Sequence, residues 1–491
     1  MVAMAPSLQR IGAGPAWPLF DVTATRALEA AGLAATAQHV LMQRAGLATA
    51  RLALALYPHA GRIWIAAGPG NNGGDGMEAA IYLHAWGKQL VVTWLGDPTL
   101  APADAALSYQ RARSAGVSFA DQPPAAWDLC IDAMLGIGAR KAPGGILAQW
   151  IAKMCGSKAP VLSIDVPTGL DADTGVAALC HVKAAATLCL LTLKPGLFTA
   201  DGRDATRAVW FDDLQLDADA LAPAVKPIAR LISAAPPTVR RHASHKGSFG
   251  DVAVVGGAPG MAGAAVLAAL AALHHGAGRV FLCPLDDGVS AASAMACAPE
   301  LMQRDPHTLD TRRLTVVGGC GGGDRIGSVL PRLITTASQL VLDADALNAI
   351  AADTALQTLL RARSHRNGST VLTPHPLEAA RLLGRTTALV QSDRLQAAAQ
   401  LAKAYGCTVI LKGSGTIVAA PNSVAGINPT GNSQLATPGS GDVLAGMVGA
   451  GMAAGATPFD AACHAVYRHG LAADRWPADA ALTASALARR A

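Results

Sequence analysis

Charge is scarce in this 491-residue chain: Asp, Glu, Lys and Arg make up 15% of it, against 51% apolar residues. Aromatics are scarcer still, at 4%. With so few large rings, the positive mean hydropathy of +0.32 comes from Ala and other small residues, not from lipid-facing side chains. The most apolar stretch, "MAGAAVLAALAALHHGAG" at 261–278, is broken by His274 and His275 and flanked by glycine. It reads as a buried helix and not as a membrane span. No basic run interrupts the chain and the net charge of +5 is dispersed, so no nucleic-acid surface is expected. The nine cysteines (130, 155, 180, 189, 283, 297, 320, 407 and 463) form no C-x-x-C and no Cys/His metal spacing. Their odd number suits unpaired thiols in a reducing compartment. The opening "MVAMAPSLQRIGAGPAW" lacks the basic start and long apolar run of an export signal. The expectation is a cytoplasmic protein with no membrane partner.

What the chain does have is length and alternation. Its length exceeds one ordinary core, so two domains are expected. After a helical stretch at 25–54, short apolar runs such as "RIWIAA", "LVVTWLG", "WDLCIDAML" and "PVLSIDVP" alternate with helix-length Ala-rich segments. That pattern predicts an α/β fold with a parallel sheet covered on both faces. The alternation restarts after "LDADALAPAVKPIARL", with "DVAVVGG", "GRVFLCP", "RLTVVGG", "QLVLDAD" and "TVILKG". The predicted boundaries are a first domain over 1–215, a linker over 216–231 and a second domain over 232–491.

Three strand ends in the first half carry polar residues. "AAGPGNNGGDG" (66–76) contains G-x-G-x-x-G, yet also packs Asn71, Asn72 and Asp75 into the same turn. "DAMLGIGARKAPGG" begins at Asp132, and "DVPTGLDADTG" at Asp165. Ligands bind at the carboxyl ends of parallel strands. Asn71, Asn72, Asp75, Asp132, Asp165 and Thr168 are therefore expected on one rim. Glycines let backbone N–H groups approach phosphate, while Asn and Asp oxygens can hold a hard cation or move a proton. Each stretch alone reads as ordinary turn chemistry; three together read as a site. Asp97 is poorly placed to bind a ribose, which argues against a plain Rossmann dehydrogenase.

"GxGNNGGDG", "DAMLGIG" and "DVPTG", with "LMQRAG" at 41–46, resemble the YjeF N-terminal family, the NAD(P)H-hydrate epimerases, over about residues 18–214. The resemblance implies a Rossmann-like three-layer α/β/α domain that interconverts the R and S hydrates of NADH and NADPH. It implies K⁺ held by Asn72, Asp132 and Thr168, and substrate held by Asn71, Asn72, Gly73, Gly74 and Asp75. It also implies substrate contacts from Gly136, Ile137, Gly138, Ala139, Arg140, Lys141 and Ala142, with Asp165 as acid/base. Ile137 stands where the family usually has Thr, and Thr168 where it usually has Ser.

In the second half, "GSGD" ahead of an apolar helical pattern puts Gly441 and Asp442 at a helix N-terminus, where backbone N–H groups favour an anion. An Asp repels phosphate; there it suits a base that deprotonates a hydroxyl attacking a phosphoryl group. "VILKGSGTIVA" (409–419) reads strand, Lys-Gly turn, strand, and "VLTPHPLEAARLLG" (371–384) sets His375 between two prolines. With "HKGSFGDVAVVGGAPGMAGAAVLAA" and "VVGGCGGGD", this ordered set resembles the ribokinase-like ADP-dependent NAD(P)H-hydrate dehydratases over about residues 232–486. The resemblance implies a ribokinase-like α/β domain. Nucleotide contacts would come from Lys412, Gly413, Ser414, Gly415, Thr416 and Gly441. The hydrate pocket would be lined by Ala264, Gly323 and His375, with Asp442 as base, Mg²⁺ as cofactor and ADP as co-substrate. Leu377 replaces a usual Gly and Pro438 a usual small residue. The expected partners are NADHX, NADPHX and ADP, and a homo-oligomer is the expected assembly. Two rivals stay open: a ribokinase-like small-molecule kinase with a nucleotide-binding regulatory first domain, and a nucleotide-sensing module.

Overall fold

The computed structural model describes residues 8–139, 141–235, 242–286, 298–366 and 368–490. These divide into two compact units, one drawn from Met1–Gly12 and Trp17–Arg230, the other from Ala13–Ala16 and Leu231–Ala491. The 216–231 segment holds the short helix Ala218–Leu221, capped by the Asp217 carboxylate, and the strand Ala229–Leu231. No helix among the described residues is long and apolar enough to cross a membrane. No cysteine among them is disulfide-bonded, and Cys155 is exposed.

The first unit is built on a sheet whose strands run, edge to edge, Leu8–Arg10, Ala208–Asp212, Ala186–Leu190, Val161–Ile164, Leu129–Ala133, Arg62–Ala67 and Gln89–Trp94. All neighbours are parallel except Leu8–Arg10. Alternation along Arg62–Ala67 shows why the run is apolar throughout. Ile63, Ile65 and Ala67 enter one core with Ala45, Met77 and Ala80 of the helices Val40–Leu56 and Asn71–Ala85. Trp64 and Ala66 face the opposite side and pack with Trp150, Ile151 and Met154. A strand buried on both faces cannot alternate polar and apolar residues. The one polar atom Trp64 carries inward is satisfied, because its Nε1 donates to Thr93 Oγ1 at 2.9 Å.

In the second unit the strands run Met302–Gln303, Arg279–Pro284, Asp251–Gly256, Thr315–Gly318, Gln339–Leu342, Ser369–Leu372 and Thr408–Leu411, all parallel. The antiparallel strands Ile417–Ala419 and Ala425–Ile427 follow. Val252, Val254, Val317 and Val341 join one core with the helices Ala262–His274 and Ser440–Ala453. Glycine lets those two helices touch: a Cβ on Gly446 would lie 2.0 Å from Ala268 O. In both units, parallel pairing gathers the carboxyl ends of the strands on one edge, which brings residues far apart in sequence onto a common rim.

Candidate active sites

A cleft of about 560 Å³ opens on the rim of the first unit. Asn71, Asn72, Asp75, Gly136, Ile137, Gly138, Ala139 and Asp165 line it, with Arg26, Glu29, Asp104 and Lys194. The helix Asn71–Ala85 starts at this cleft, so its first N–H groups, which have no intrahelical acceptor, face the ligand space. Gly73 and Gly74 are buried in that helix instead: a Cβ on Gly73 would lie 2.1 Å from Gly68 O, and one on Gly74 2.9 Å from Met42 Sδ. Lys141 and Ala142 are exposed and are not among the residues lining the cleft. Arg140 lies outside the described residues.

Asp132 is fully buried beneath the cleft floor. Its Oδ1 accepts from Thr168 Oγ1 at 2.7 Å, and its Oδ2 from Thr168 N at 2.9 Å and Ser163 Oγ at 2.8 Å. Leu135 N donates to the same Thr168 hydroxyl at 3.0 Å, which ties the pair to the 135–136 turn. Across that turn, Asn72 Cγ lies 3.5 Å from where a Gly136 Cβ would stand. Asn72 Oδ1 and Nδ2 are both buried without a partner. A buried amide oxygen left unmatched is costly. With a carboxylate and a hydroxyl linked through one turn, these oxygens fit a hard cation.

Asp165 holds a left-handed backbone, φ 65°, which places its carboxylate into the cleft. The Lys194 ammonium donates to Asp165 Oδ1 at 2.5 Å and to Leu190 O at 2.9 Å. Lys194 is only 1% exposed, and although burial opposes its charge, the Asp165 carboxylate holds its pKa above the ordinary value. Sequence reasoning did not single out Lys194. Its sole signal is a polar residue ending the apolar run "TLCLLTLKPG". Asp75 and Glu29 have their carboxyls pushed up, first by burial and then by Asp165. The cleft thus pairs one carboxylate with a cation and leaves others without one.

In the second unit, the helix Ser440–Ala453 brings Asp442 to the rim. The Cys320 thiol, Asp343 and Asp442 present ligand-type atoms within 4.8 Å of one another. Asp442 has its carboxyl raised to about 7, mostly by burial and then by the Asp343 charge, while Cys320 and Lys412 pull it down. Lys412 donates to Asp343 Oδ1 at 2.7 Å and lies 4.0 Å from Glu378 Oε2. A Cβ on Gly441 would stand 3.3 Å from the Lys412 ammonium, so Gly441 and Lys412 do meet. Gly413 and Gly415 take left-handed backbones in the turn beyond, where Gly413 and Ser414 are exposed and Gly415 is buried. Thr416 Oγ1 closes that turn onto Gly413 O at 3.0 Å.

His375 caps the helix Pro376–Leu383: its Nδ1 accepts from Leu377 N at 3.1 Å and Glu378 N at 3.2 Å. Those bonds put the ring proton on Nε2, 3.3 Å from Glu378 Oε1. Leu377 is exposed, so this substitution leaves the cap intact. Gly323 N donates to Asp345 Oδ2 at 2.8 Å, and Ala264 packs against the same glycine turn, 2.9 Å from a Cβ on Gly321. Asp343, Asp345 and Glu378 were not singled out from sequence. Asp343 and Asp345 end "QLVLDAD", read as an apolar run, and Glu378 lies in "VLTPHPLEAARLLG", where only His375 was singled out. A soft thiol and a carboxylate already committed to Lys412 do not fit a resident Mg²⁺.

Two α/β units, each setting a carboxylate and a lysine paired to a carboxylate at glycine-walled strand ends, define a two-site enzyme of nucleotide-like ligands. A family model described as YjeF-related protein N-terminus matches residues 38–196, and one described as NAD(P)H-hydrate dehydratase matches 252–490. The bifunctional NAD(P)H-hydrate repair enzyme Nnr of Escherichia coli is 35% identical over 470 residues, covering 91% of this chain and 87% of that protein. The chain belongs to the family of bifunctional NAD(P)H-hydrate repair enzymes. The ADP-dependent (S)-NAD(P)H-hydrate dehydratase of Neisseria meningitidis is 44% identical over 255 residues, covering 51% of this chain and 84% of that protein. Among solved structures, the Bacillus subtilis ADP/ATP-dependent NAD(P)H-hydrate dehydratase, co-crystallised with ATP/Mg²⁺, is 28% identical. It covers 51% of this chain and 91% of its own, with a TM-score of 0.45.

Proposed function

We propose that this chain repairs hydrated NADH and NADPH in two steps. The first unit interconverts the R and S hydrates, and the second uses ADP to dehydrate the S form, yielding NAD(P)H, AMP and phosphate. The observation that carries the reading is Asp442, a carboxylate raised to about 7 at a helix N-terminus on the rim of a parallel sheet. A base with that pKa works near neutral pH.

In the epimerase site, Asn71, Asn72, Asp75 and the 136–139 segment would hold the substrate. The ring nitrogen lone pair forms a double bond to the neighbouring carbon as the carbon–hydroxyl bond breaks. Asp165 would pass a proton to the departing hydroxyl and recover it when water adds to the other face. Lys194 holds Asp165 in place for both transfers. Asn72, Asp132 and Thr168 would hold K⁺, which would supply a fixed positive charge to a cleft rich in carboxylates.

In the dehydratase site, Asp442 would take the proton of the hydrate hydroxyl. That oxygen attacks the terminal phosphoryl group of ADP and AMP leaves. The ring nitrogen then expels phosphate, and loss of a proton from the adjacent ring carbon restores the dihydronicotinamide. Lys412 to Thr416 and Gly441 would meet the nucleotide, and Ala264, Gly323 and His375 the hydrate. Mg²⁺ would enter on the nucleotide phosphates. Similarity to repair enzymes along both units favours this reading over a kinase with a regulatory first domain. The scattered cysteines, with no C-x-x-C or Cys/His metal spacing, support a cytoplasmic setting; the expected homo-oligomer is a matter for size-exclusion chromatography.

Incubating the protein with mixed hydrates tests the proposal. With ADP, both epimers should be consumed and the reduced-nicotinamide absorbance recovered. Without ADP, a single purified epimer should equilibrate to both. No recovery with ADP refutes the dehydratase assignment, and a stable single epimer refutes the epimerase one.

A further inference from the structure

A cavity of about 640 Å³ in the Leu231–Ala491 unit plays no part in the chemistry above. It opens at the carboxyl ends of Arg279–Pro284 and Met302–Gln303, between Pro284, Leu285, Arg304 and Pro306. The turn Gly323–Ser328 adds Arg325 and Ser328 to the wall, and Asp286 and His307 line it as well. The walls are tied together. Arg325 Nη1 donates to Leu285 O at 3.0 Å. Arg332 donates to Leu309 O at 2.7 Å and to Pro306 O. The Arg304 guanidinium lies 5.3 Å from the centre of the Phe281 ring and donates to Gln303 O at 2.9 Å. A guanidinium has five N–H donors, so this anchoring aims a fork and leaves most of it for a ligand. Asp305, also in the wall, turns its Oδ1 onto the His307 N–H at 2.9 Å.

Strand order says what could lie there. Along the rim, the Lys412–Thr416 turn follows Thr408–Leu411, and Asp343 ends Gln339–Leu342. Gly319–Gly323 follows Thr315–Gly318, and the cavity comes last, beyond Asp251–Gly256. The nucleotide turn and the cavity therefore occupy opposite ends, with Asp442 between them. A dinucleotide whose nicotinamide ring sits at Asp442 must send its other half along this rim, and ADP occupies one direction. Gly323, assigned above to the hydrate pocket, begins the turn Gly323–Ser328, whose Arg325 and Ser328 line the cavity. A volume in this range suits a nucleotide-sized ligand, ligand pockets running roughly 300–1,000 Å³.

We propose that this cavity binds the adenosine-phosphate half of the hydrated dinucleotide, with Arg304 gripping a phosphate. The inference rests on the dehydratase reading above. It makes the cavity a determinant of substrate length that the reacting ring does not supply.

The test compares NADHX, NADPHX and hydrated reduced nicotinamide mononucleotide, which lacks the adenosine half, in the wild type and in Arg304→Ala and Arg304→Lys. In the wild type, KM for the mononucleotide should exceed that for the dinucleotides by about tenfold or more, the worth of one charge-assisted phosphate contact. In Arg304→Ala that ratio should collapse toward one, and Arg304→Lys should restore part of it. A collapse for both dinucleotides places the pyrophosphate at Arg304; a collapse for NADPHX alone places its extra phosphate there. An unchanged ratio in both variants, or a wild type that does not discriminate, overturns the proposal. A wild type that dehydrates none of the three with ADP overturns the dehydratase reading instead. Arg304 is exposed, and an unchanged KM for ADP reports an intact fold.

Discussion

Replacing Asp442 by Asn should separate activity from stability. The folded protein holds this carboxyl at about 7 rather than at its ordinary 3.8. Each pH unit of that gap is worth about 1.4 kcal/mol, so keeping Asp442 ionised costs the fold about 4 kcal/mol before screening. The group is only partly buried, and discounting for solvent brings the cost to about 2 kcal/mol. A pKa raised by folding means the fold prefers the protonated form. The associated stability is present below 3.8 and is lost as pH rises toward 7. Asn mimics the neutral acid, and Lys412 keeps its partner Asp343 at 2.7 Å. At pH 8 the variant should therefore be more stable by about 2 kcal/mol, or roughly 4–8 °C in the second unit's transition. Its dehydration rate should fall by about 10²–10⁴ through loss of the base. In the wild type the rate should climb through pH 7 and level off above it, and the decline in stability between pH 4 and 7 should be steeper than in the variant. Calorimetry across pH and a coupled absorbance assay measure both. An inactive variant that is also less stable at pH 8 refutes the reasoning, because it would make Asp442 a structural anchor.

Lys194→Met should abolish epimerisation and, by stranding Asp165 beside a buried apolar chain, destabilise the first unit by about 3–5 kcal/mol; thermal unfolding and chiral chromatography of the hydrates report both. Epimerisation by the wild type should run faster in K⁺ than in Na⁺, Asn72→Ala should erase that difference while leaving dehydration unaltered, and a K⁺ response identical to wild type would reject Asn72 as a ligand. Two glycines of one motif should differ sharply. Gly68→Ala puts a Cβ 1.8 Å from Met134 O and should cost about 2 kcal/mol or more, whereas Gly70→Ala meets nothing within 4 Å and should stay within about 0.5 kcal/mol of wild type in unfolding experiments.

The epimerase cleft was legible where polar residues interrupt an apolar strand at its carboxyl end. Asn72, Asp75 and Asp165 stand out because they follow apolar strands at their carboxyl ends, and parallel pairing sends all three to one rim. Lys194 did not stand out. Its ammonium reaches Asp165 only because Ala186–Leu190 pairs beside Val161–Ile164, a neighbour relation that no local pattern encodes. Lys412 was legible as a turn residue, but not as the ion partner of Asp343, 69 residues away.

Local chemistry written in the chain determined the element types, the two-unit organisation and the glycine-rich ends where ligands approach, since backbone sterics and apolar periodicity act over a few residues. Tertiary structure alone decided which charges became partners, which amide was left without one, and how far each carboxyl moved from its ordinary pKa. Those properties depend on desolvation and on distances between residues that only the assembled sheet brings together.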